Sequence, residues 1–115
     1  MSGRVIVYVI SASVASDDDL IGKMDPYVRL QLGSSKQETT DKKGAGKNPV
    51  WNEQLELQGG NDNTLSVSLM DSDFGPDEHV GKTEINLQAA ANEQTFPLFK
   101  GSKQIGEIQL RIQVQ

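Results

Sequence analysis

The 115-residue sequence contains no cysteine and a single histidine, His79. Without cysteine the chain has no disulfide framework, no thiolate nucleophile and no thiolate metal ligand. A catalytic triad would have to use His79, and the sequence has no G-x-S-x-G turn to carry a nucleophilic serine. We therefore expect a protein that is not an enzyme.

Membrane-spanning and targeting signals are also missing from the sequence. No stretch approaches the roughly 20 apolar residues that a spanning helix needs, and the first residues lack signal-peptide architecture. Ser2 stands where myristoylation requires glycine, and no C-terminal cysteine is present for prenylation. The net charge of −5 argues against a nucleic-acid partner. We expect a soluble, cytoplasmic protein whose residues 1–115 form a single domain.

About eight segments have the apolar patterning of β-strands, and none sustains a helical period. They are residues 4–11, 25–32, 36–40, 51–57, 65–69, 79–87, 95–99 and 107–115. The first is almost continuously apolar, as expected of a strand covered on both faces. The last alternates strictly, with these side chains expected to point inward: Ile108, Leu110, Ile112 and Val114. Turn residues separate the segments, so the sequence predicts an all-β, eight-stranded antiparallel β-sandwich.

Half of the acidic residues fall in two short segments, so that 8 of the 16 occupy 17 of the 115 positions. The first segment holds Asp17, Asp18, Asp19 and Asp25, and the second holds Asp71, Asp73, Asp77 and Glu78. Two carboxylates about 4 Å apart repel by roughly 4 kcal/mol at an effective dielectric of about 20. A bound dication reverses that repulsion, and hard cations prefer oxygen ligands. The alternative is that these are solvated turn residues, but the presence of both clusters favours a cation site.

Three motifs make the sequence resemble the C2-domain family, a calcium-dependent phospholipid-binding module. They are Asp19-x-x-Gly-x-x-Asp25-Pro-Tyr-Val, then Asn48-Pro-Val-Trp-Asn-Glu53, then Asp71-x-Asp73 with Val80-Gly81 closing the loop. The resemblance covers essentially the whole chain. It implies a Greek-key, eight-stranded sandwich in which three loops at one end gather two or three Ca²⁺ ions. The strand order resembles the family's type II topology, whose remaining strand comes at the C-terminus.

The resemblance also implies the ligands of those ions. Carried over by position, they are Asp19 and Asp25 from the first loop and Asp71 and Asp73 from the third. The third loop is one residue shorter than the common pattern, so the fifth carboxylate is either Asp77 or Glu78. Counting back from Gly81 favours Glu78, whereas the chemistry of the family favours aspartate.

Apolar and basic residues near these loops predict contact with a membrane. The apolar ones, expected to insert among lipid headgroups, are Leu20, Ile21, Met24 and Phe74. The resemblance also implies a basic surface on this side of the sheet that binds phosphoinositide headgroups, and its candidates here are Lys36, Lys42, Lys43 and Lys47. The plainer interpretations are that the apolar groups pack on neighbouring loop backbone and that the lysines form a solvated edge.

We therefore expect a small Ca²⁺ sensor that docks on anionic phospholipid membranes when Ca²⁺ rises. Two alternatives remain from other classes. One is a protein-interaction adaptor with a protein partner, in which Ca²⁺ only rigidifies the loops. The other is a Ca²⁺-independent phosphoinositide binder that uses the lysines.

Overall fold

The computed structural model describes residues 3–14, 25–43, 45–59, 62–72, 78–88 and 93–115, with Glu78 described by its backbone alone. Eight strands occupy most of these residues: β1 (Arg4–Val14), β2 (Pro26–Leu32), β3 (Ser35–Glu38), β4 (Val50–Gln58), β5 (Thr64–Asp71), β6 (Glu78–Asn86), β7 (Glu93–Lys100) and β8 (Lys103–Val114). Within the described ranges, no helix is long and apolar enough to cross a membrane.

The strands lie in the order β3-β2-β5-β6-β7-β8-β1-β4, and every neighbouring pair is antiparallel. Between β6 and β7, Lys82 opposite Phe99 is the single paired position in the described residues. The sheet therefore divides into two halves, β3-β2-β5-β6 and β7-β8-β1-β4, which face each other across the core. The prediction of an eight-stranded antiparallel sandwich is confirmed, and the crossovers β1-β4, β1-β8 and β2-β5 give it Greek-key connections.

The core is built from the inward-facing side chains of both halves, as the alternation along the strands predicts. Its largest completely buried members include Leu30, Leu65, Leu69, Leu98 and Leu110. Burying a side chain of this size contributes about 1.5–3 kcal/mol relative to leaving it exposed. These contacts hold the ends of the strands at fixed positions, so the segments between strands start from a rigid frame.

Two strand predictions need correction at their ends. β1 runs to Val14, beyond the predicted residue 11, because its ladder with β8 continues to the pair Val14 and Gly106. A side chain at Gly106 would collide with the Ser13 carbonyl oxygen, so glycine permits this close pairing. In β8, Val114 is 59 % exposed rather than inward. It pairs with Val5 at the last paired position of the β1–β8 ladder, next to the end of the chain.

The predicted coverage of β1 on both faces holds for only part of the strand. Val5, Val7 and Val9 are buried inward, and the outward-facing Ile6 is also buried. Tyr8, which also faces outward, is only half-buried, with the Arg111 guanidinium stacked 4.2 Å above the centre of its ring. The outer face of β1 is therefore covered at its start and partly open further along.

Candidate metal-binding site

The β2–β5 ladder brings together Asp25 and Asp71, which are 46 residues apart in sequence. Pro26, the first residue of β2, pairs with Asp71, the last residue of β5. The Asp25 main-chain N–H donates a hydrogen bond of 3.0 Å to Oδ1 of Asp71. The Ser72 main-chain N–H in turn donates to the Asp25 carbonyl oxygen at 3.1 Å. Two of the six predicted ligand residues therefore meet where β2 begins and β5 ends.

Both acid-rich segments join the sandwich at this end. Residues 15–24 connect Val14 to Asp25, and residues 73–77 connect Ser72 to Glu78. Lys42 N–H donates to the Pro26 carbonyl at 3.0 Å, and Val14 N–H donates to the Lys47 carbonyl at 2.8 Å. The segment between β3 and β4 thus touches the start of β2 and the end of β1, which shows that both lie at the same end of the sandwich.

Of the remaining predicted ligands, the structure describes only the backbone of Glu78. Asp19, Asp73 and Asp77 lie outside the described residues. Glu78 opens β6, and its backbone pairs with Asp71. Among the residues that are described, no three histidine, aspartate or glutamate side chains are grouped closely enough to hold a metal ion. The described part of the site is therefore the Asp25–Asp71 pair, whose carboxylate oxygens are the kind of donor that a hard dication prefers.

The four apolar residues predicted to insert into a membrane also lie outside the described residues: Leu20, Ile21, Met24 and Phe74. Their role stays a prediction. They belong to the segments 15–24 and 73–77, which adjoin Asp25 and Ser72 in the sequence.

The four predicted headgroup lysines are divided by the fold. Lys42, Lys43 and Lys47 lie between β3 and β4 at the Asp25 end, with Lys43 and Lys47 exposed. Lys36 instead pairs with Gln31, next to the turn that joins β2 to β3. Five residues of strand separate Gln31 from Pro26, or about 16 Å at roughly 3.3 Å per residue. Lys36 is therefore at the opposite end from the other three.

The Asn48–Glu53 motif has a structural role next to this site. Trp51 is buried in the core, and Asn52 adopts a φ of 52°, which gives β4 an irregular start opposite β1. Glu53 then points across to the segment after β3. Its carboxylate accepts hydrogen bonds from the Thr40 main-chain N–H, at 3.1 Å, and from the Thr40 hydroxyl. The motif therefore fastens residue 40 to β4.

Two further residues belong to the site that the sequence did not reveal, Asp41 and Ser72. The Ser72 hydroxyl lies 2.9 Å from Oδ2 of Asp41. A single acid between Thr40 and Lys42 forms no cluster in the sequence. The available signal was the predicted hairpin of segments 25–32 and 36–40, because an antiparallel return brings residue 41 back to the level of Asp25.

His79 follows Glu78 in β6 and pairs with Met70. The pKa of its imidazole is lowered below 6.5, first by burial and then by the positive charges of Lys82, Lys100 and Arg29. The side chain is therefore uncharged at neutral pH and adds no positive charge beside the acidic segment.

Comparisons with known proteins agree with the strand order and the motifs. The family model described as C2 domain matches residues 3–100. Elicitor-responsive protein 3 of Oryza sativa subsp. japonica is 33% identical over 99 residues, covering 84% of this chain and 69% of that protein. The calcium-dependent lipid-binding protein of Arabidopsis thaliana is 33% identical over 89 residues, covering 76% of this chain and 18% of that protein.

Among solved structures, a C2 domain of plant Extended Synaptotagmin 1 superposes with a TM-score of 0.83 at 26% identity. The alignment covers 98% of this chain and 94% of that one. The first strand leads into the acid-rich segment 15–24 and the last strand, β8, comes at the C-terminal end, as the resemblance implied. The structure adds that β8 pairs with β1. With the sequence motifs, the strand order and the family match in agreement, the chain belongs to the C2 domain family.

Proposed function

We propose that the chain binds Ca²⁺ at the Asp25 end of the sandwich and, in that form, docks on anionic phospholipid membranes. The observation that carries the proposal is the meeting of Asp25 and Asp71, linked by the 3.0 Å hydrogen bond from Asp25 N–H to Asp71 Oδ1. This pair lies where both acid-rich segments join the fold. The Asp25 main chain holds the Asp71 carboxylate, and the two acids stand at neighbouring strand ends, where the acids of segments 15–24 and 73–77 can add to them.

The donor set suits Ca²⁺, which takes six to eight oxygen ligands in flexible geometry. Asp25 and Asp71 would supply oxygens from the sandwich, and Asp19 and Asp73 from the adjoining segments, with either Asp77 or Glu78 as the fifth carboxylate. We propose two or three ions, as the resemblance implies. Bound Ca²⁺ supplies positive charge and coordination positions that lipid phosphate oxygens can fill.

The chain's own residues would then hold the protein at the membrane surface. Leu20, Ile21, Met24 and Phe74 would enter the headgroup region, where apolar burial stabilises attachment. Lys42, Lys43 and Lys47, at the same end, would add at most about 1 kcal/mol each near an anionic surface. The protein would be cytoplasmic and would move to membranes as Ca²⁺ rises. The name of the Arabidopsis relative, calcium-dependent lipid-binding protein, supports this assignment.

We propose a binding module rather than an enzyme, because the sequence offers little for acid–base or nucleophilic chemistry. It has no cysteine, and its one histidine is His79, whose pKa is lowered by burial and by neighbouring cations.

The test is sedimentation with vesicles of phosphatidylserine and phosphatidylcholine, in Ca²⁺ or in chelator. The protein should sediment with these vesicles only in Ca²⁺, and it should stay in solution with vesicles of phosphatidylcholine alone. Asp25→Asn should abolish sedimentation because it removes a ligand charge. Asp62→Asn is the matched control, since Asp62 lies against Gly33 at the turn between β2 and β3, at the other end. Equal sedimentation of Asp25→Asn and the wild type would contradict the proposal.

One observation favours a second candidate, Ca²⁺-independent binding of phosphoinositide headgroups. Lys42, Lys43 and Lys47 are gathered at one end, next to the start of β2 and the end of β1. This candidate predicts binding to phosphoinositide vesicles in chelator, lost on neutralising the three lysines and weakened by salt. A chain that Ca²⁺ stabilises but that binds neither kind of vesicle would instead support the protein-interaction adaptor.

A further inference from the structure

Asp41 lies beside the Asp25–Asp71 pair but outside the ligand set that the family motifs imply. It follows β3 in the chain and is exposed. Its Oδ2 atom lies 2.9 Å from the hydroxyl oxygen of Ser72. Ser72 is the residue between Asp71 and Asp73, so Asp41 contacts the side chain of the residue that stands between two of the proposed ligands.

Ser72 connects this carboxylate to Asp25. Its main-chain N–H donates to the Asp25 carbonyl oxygen at 3.1 Å, and its hydroxyl oxygen lies 3.2 Å from the same carbonyl. A hydroxyl has one proton and both neighbours are acceptors, so it can donate to only one of them at a time. The carboxylate oxygen of Asp41 is the closer of the two acceptors, at 2.9 Å against 3.2 Å, so the hydroxyl donates to Asp41. This hydrogen bond restrains the Ser72 side chain.

Asp41 is itself held on both sides by strands. The residue before it, Thr40, donates from its N–H to the Glu53 carboxylate in β4 at 3.1 Å. The residue after it, Lys42, donates from its N–H to the Pro26 carbonyl at 3.0 Å. The main chain on both sides of Asp41 is thus anchored to β4 and β2, and a group carried by an anchored segment can orient a neighbouring ligand more accurately than one on a loose loop.

We infer that Asp41 is a positioning residue of the cation site, which fixes Ser72 and through it the relative placement of Asp25 and Asp71. The inference rests on the proposed function, since it concerns the same Ca²⁺ site. Removing a group that orients a metal ligand commonly weakens metal binding by about 10- to 100-fold. Asp41 acts through its acceptor oxygen, so a neutral side chain with an oxygen in the same place should preserve its action.

The test is isothermal titration of Ca²⁺ into the full chain without lipid, comparing Asp41→Ala, Asp41→Asn and Ser72→Ala. Asp41→Ala should weaken Ca²⁺ binding by about tenfold, at the low end of the range for such orienting groups. Asp41→Asn keeps an amide oxygen that can accept from Ser72, and it should bind within about twofold of wild type. Ser72→Ala should match Asp41→Ala, and the double variant should be no weaker than either, because one shared bond is lost in all three.

Melting in chelator separates positioning from folding: all three variants should stay folded there, and those that lose the hydrogen bond should melt at most about 4 °C lower, the cost of about 1 kcal/mol for one bond. Asp62→Ala, at the opposite end, is the matched control and should bind Ca²⁺ as the wild type does. Unchanged affinity in Asp41→Ala would overturn the inference alone. Asp41→Asn as weak as Asp41→Ala would also overturn it, since the charge rather than the hydrogen bond would then matter. A wild-type chain that binds no Ca²⁺ would overturn the proposed function itself.

Discussion

Replacing Asp71 separates its proposed role as a Ca²⁺ ligand from its observed role as a hydrogen-bond acceptor. Asp71→Asn keeps an oxygen that can accept from the Asp25 N–H, now at 3.0 Å from Oδ1, but it removes the ligand charge. Asp71→Ala removes both. We therefore expect Asp71→Asn to be insensitive to Ca²⁺ yet as stable as the wild type in chelator, whereas Asp71→Ala should be less stable in both conditions.

Bound Ca²⁺ and the lost hydrogen-bond acceptor should each change the melting temperature by a measurable amount. Ca²⁺ at a hundred times its dissociation constant stabilises the folded chain by about 2.7 kcal/mol. For 115 residues, an unfolding entropy of about 2.1 cal/mol/K per residue converts that into a rise of about 11 °C in melting temperature. The lost acceptor in Asp71→Ala costs about 1 kcal/mol, the low end for a group that is only part-buried, or about 4 °C.

The assay is thermal unfolding followed by circular dichroism, in millimolar Ca²⁺ and in chelator, for the wild type and both variants. Ca²⁺ should raise the melting temperature of the wild type by about 11 °C and leave that of both Asp71 variants nearly unchanged. Asp62→Asn serves as the control at the far end and should respond like the wild type. A wild-type response to Ca²⁺ in Asp71→Asn would refute the ligand assignment. Equal stability of the Asn and Ala variants in chelator would refute the hydrogen-bond argument.

Three further predictions concern the membrane contact, the histidine and the motif before β4. Changing Leu20, Ile21 and Phe74 together to alanine should weaken vesicle binding at saturating Ca²⁺ at every salt concentration, because each loses up to about 1.5–3 kcal/mol of apolar burial; wild-type partitioning would exclude insertion. In chelator, NMR titration of His79 should give a pKa below 6.5. The free energy of unfolding should fall as the pH drops below 6.5, because the unfolded chain then binds more protons than the folded chain. An unshifted titration would contradict this. Glu53→Ala should lower the free energy of unfolding in urea by about 1 kcal/mol through the lost Thr40 contacts, and Glu53→Gln by less; equal losses would argue against the acceptor role.

The fold could be predicted from the sequence because the strands alternate clearly between inward and outward side chains. All eight segments are strands, and the inward residues of β2 and β5, such as Val28, Leu30 and Val67, are buried. Strand ends were less predictable. The extension of β1 to Val14 depends on its pairing with Gly106, and no local pattern around residues 12–14 reveals a partner 92 residues away.

The candidate site was predictable where acids cluster in sequence and not where they meet only in space. The approach of Asp25 to Asp71 followed from two acid-rich segments at strand ends, and the structure shows it directly. Asp41 is an isolated acid, so its contact with Ser72 depends on the β2–β3 register. The separation of Lys36 from the other lysines has the same origin. Residues 36–47 include most of β3 and the segment after it, so the chain runs from one end of the sandwich to the other between Lys36 and Lys42.

The single pairing between β6 and β7 has a mechanical consequence for the proposed site. Asp25, Asp71 and Glu78 belong to the half of the sandwich that contains β2, β5 and β6, whereas segment 15–24 leaves from β1 in the other half. Few main-chain hydrogen bonds along that seam resist sliding of one half past the other. The alignment of the halves therefore depends on the packed core and on side-chain contacts such as that of Glu53 with Thr40. Ions held by both groups of acids would act as a clamp across the sandwich. The affinity for Ca²⁺ would then depend on core packing. A core substitution that opens a cavity between the two halves would weaken Ca²⁺ binding without contacting the site.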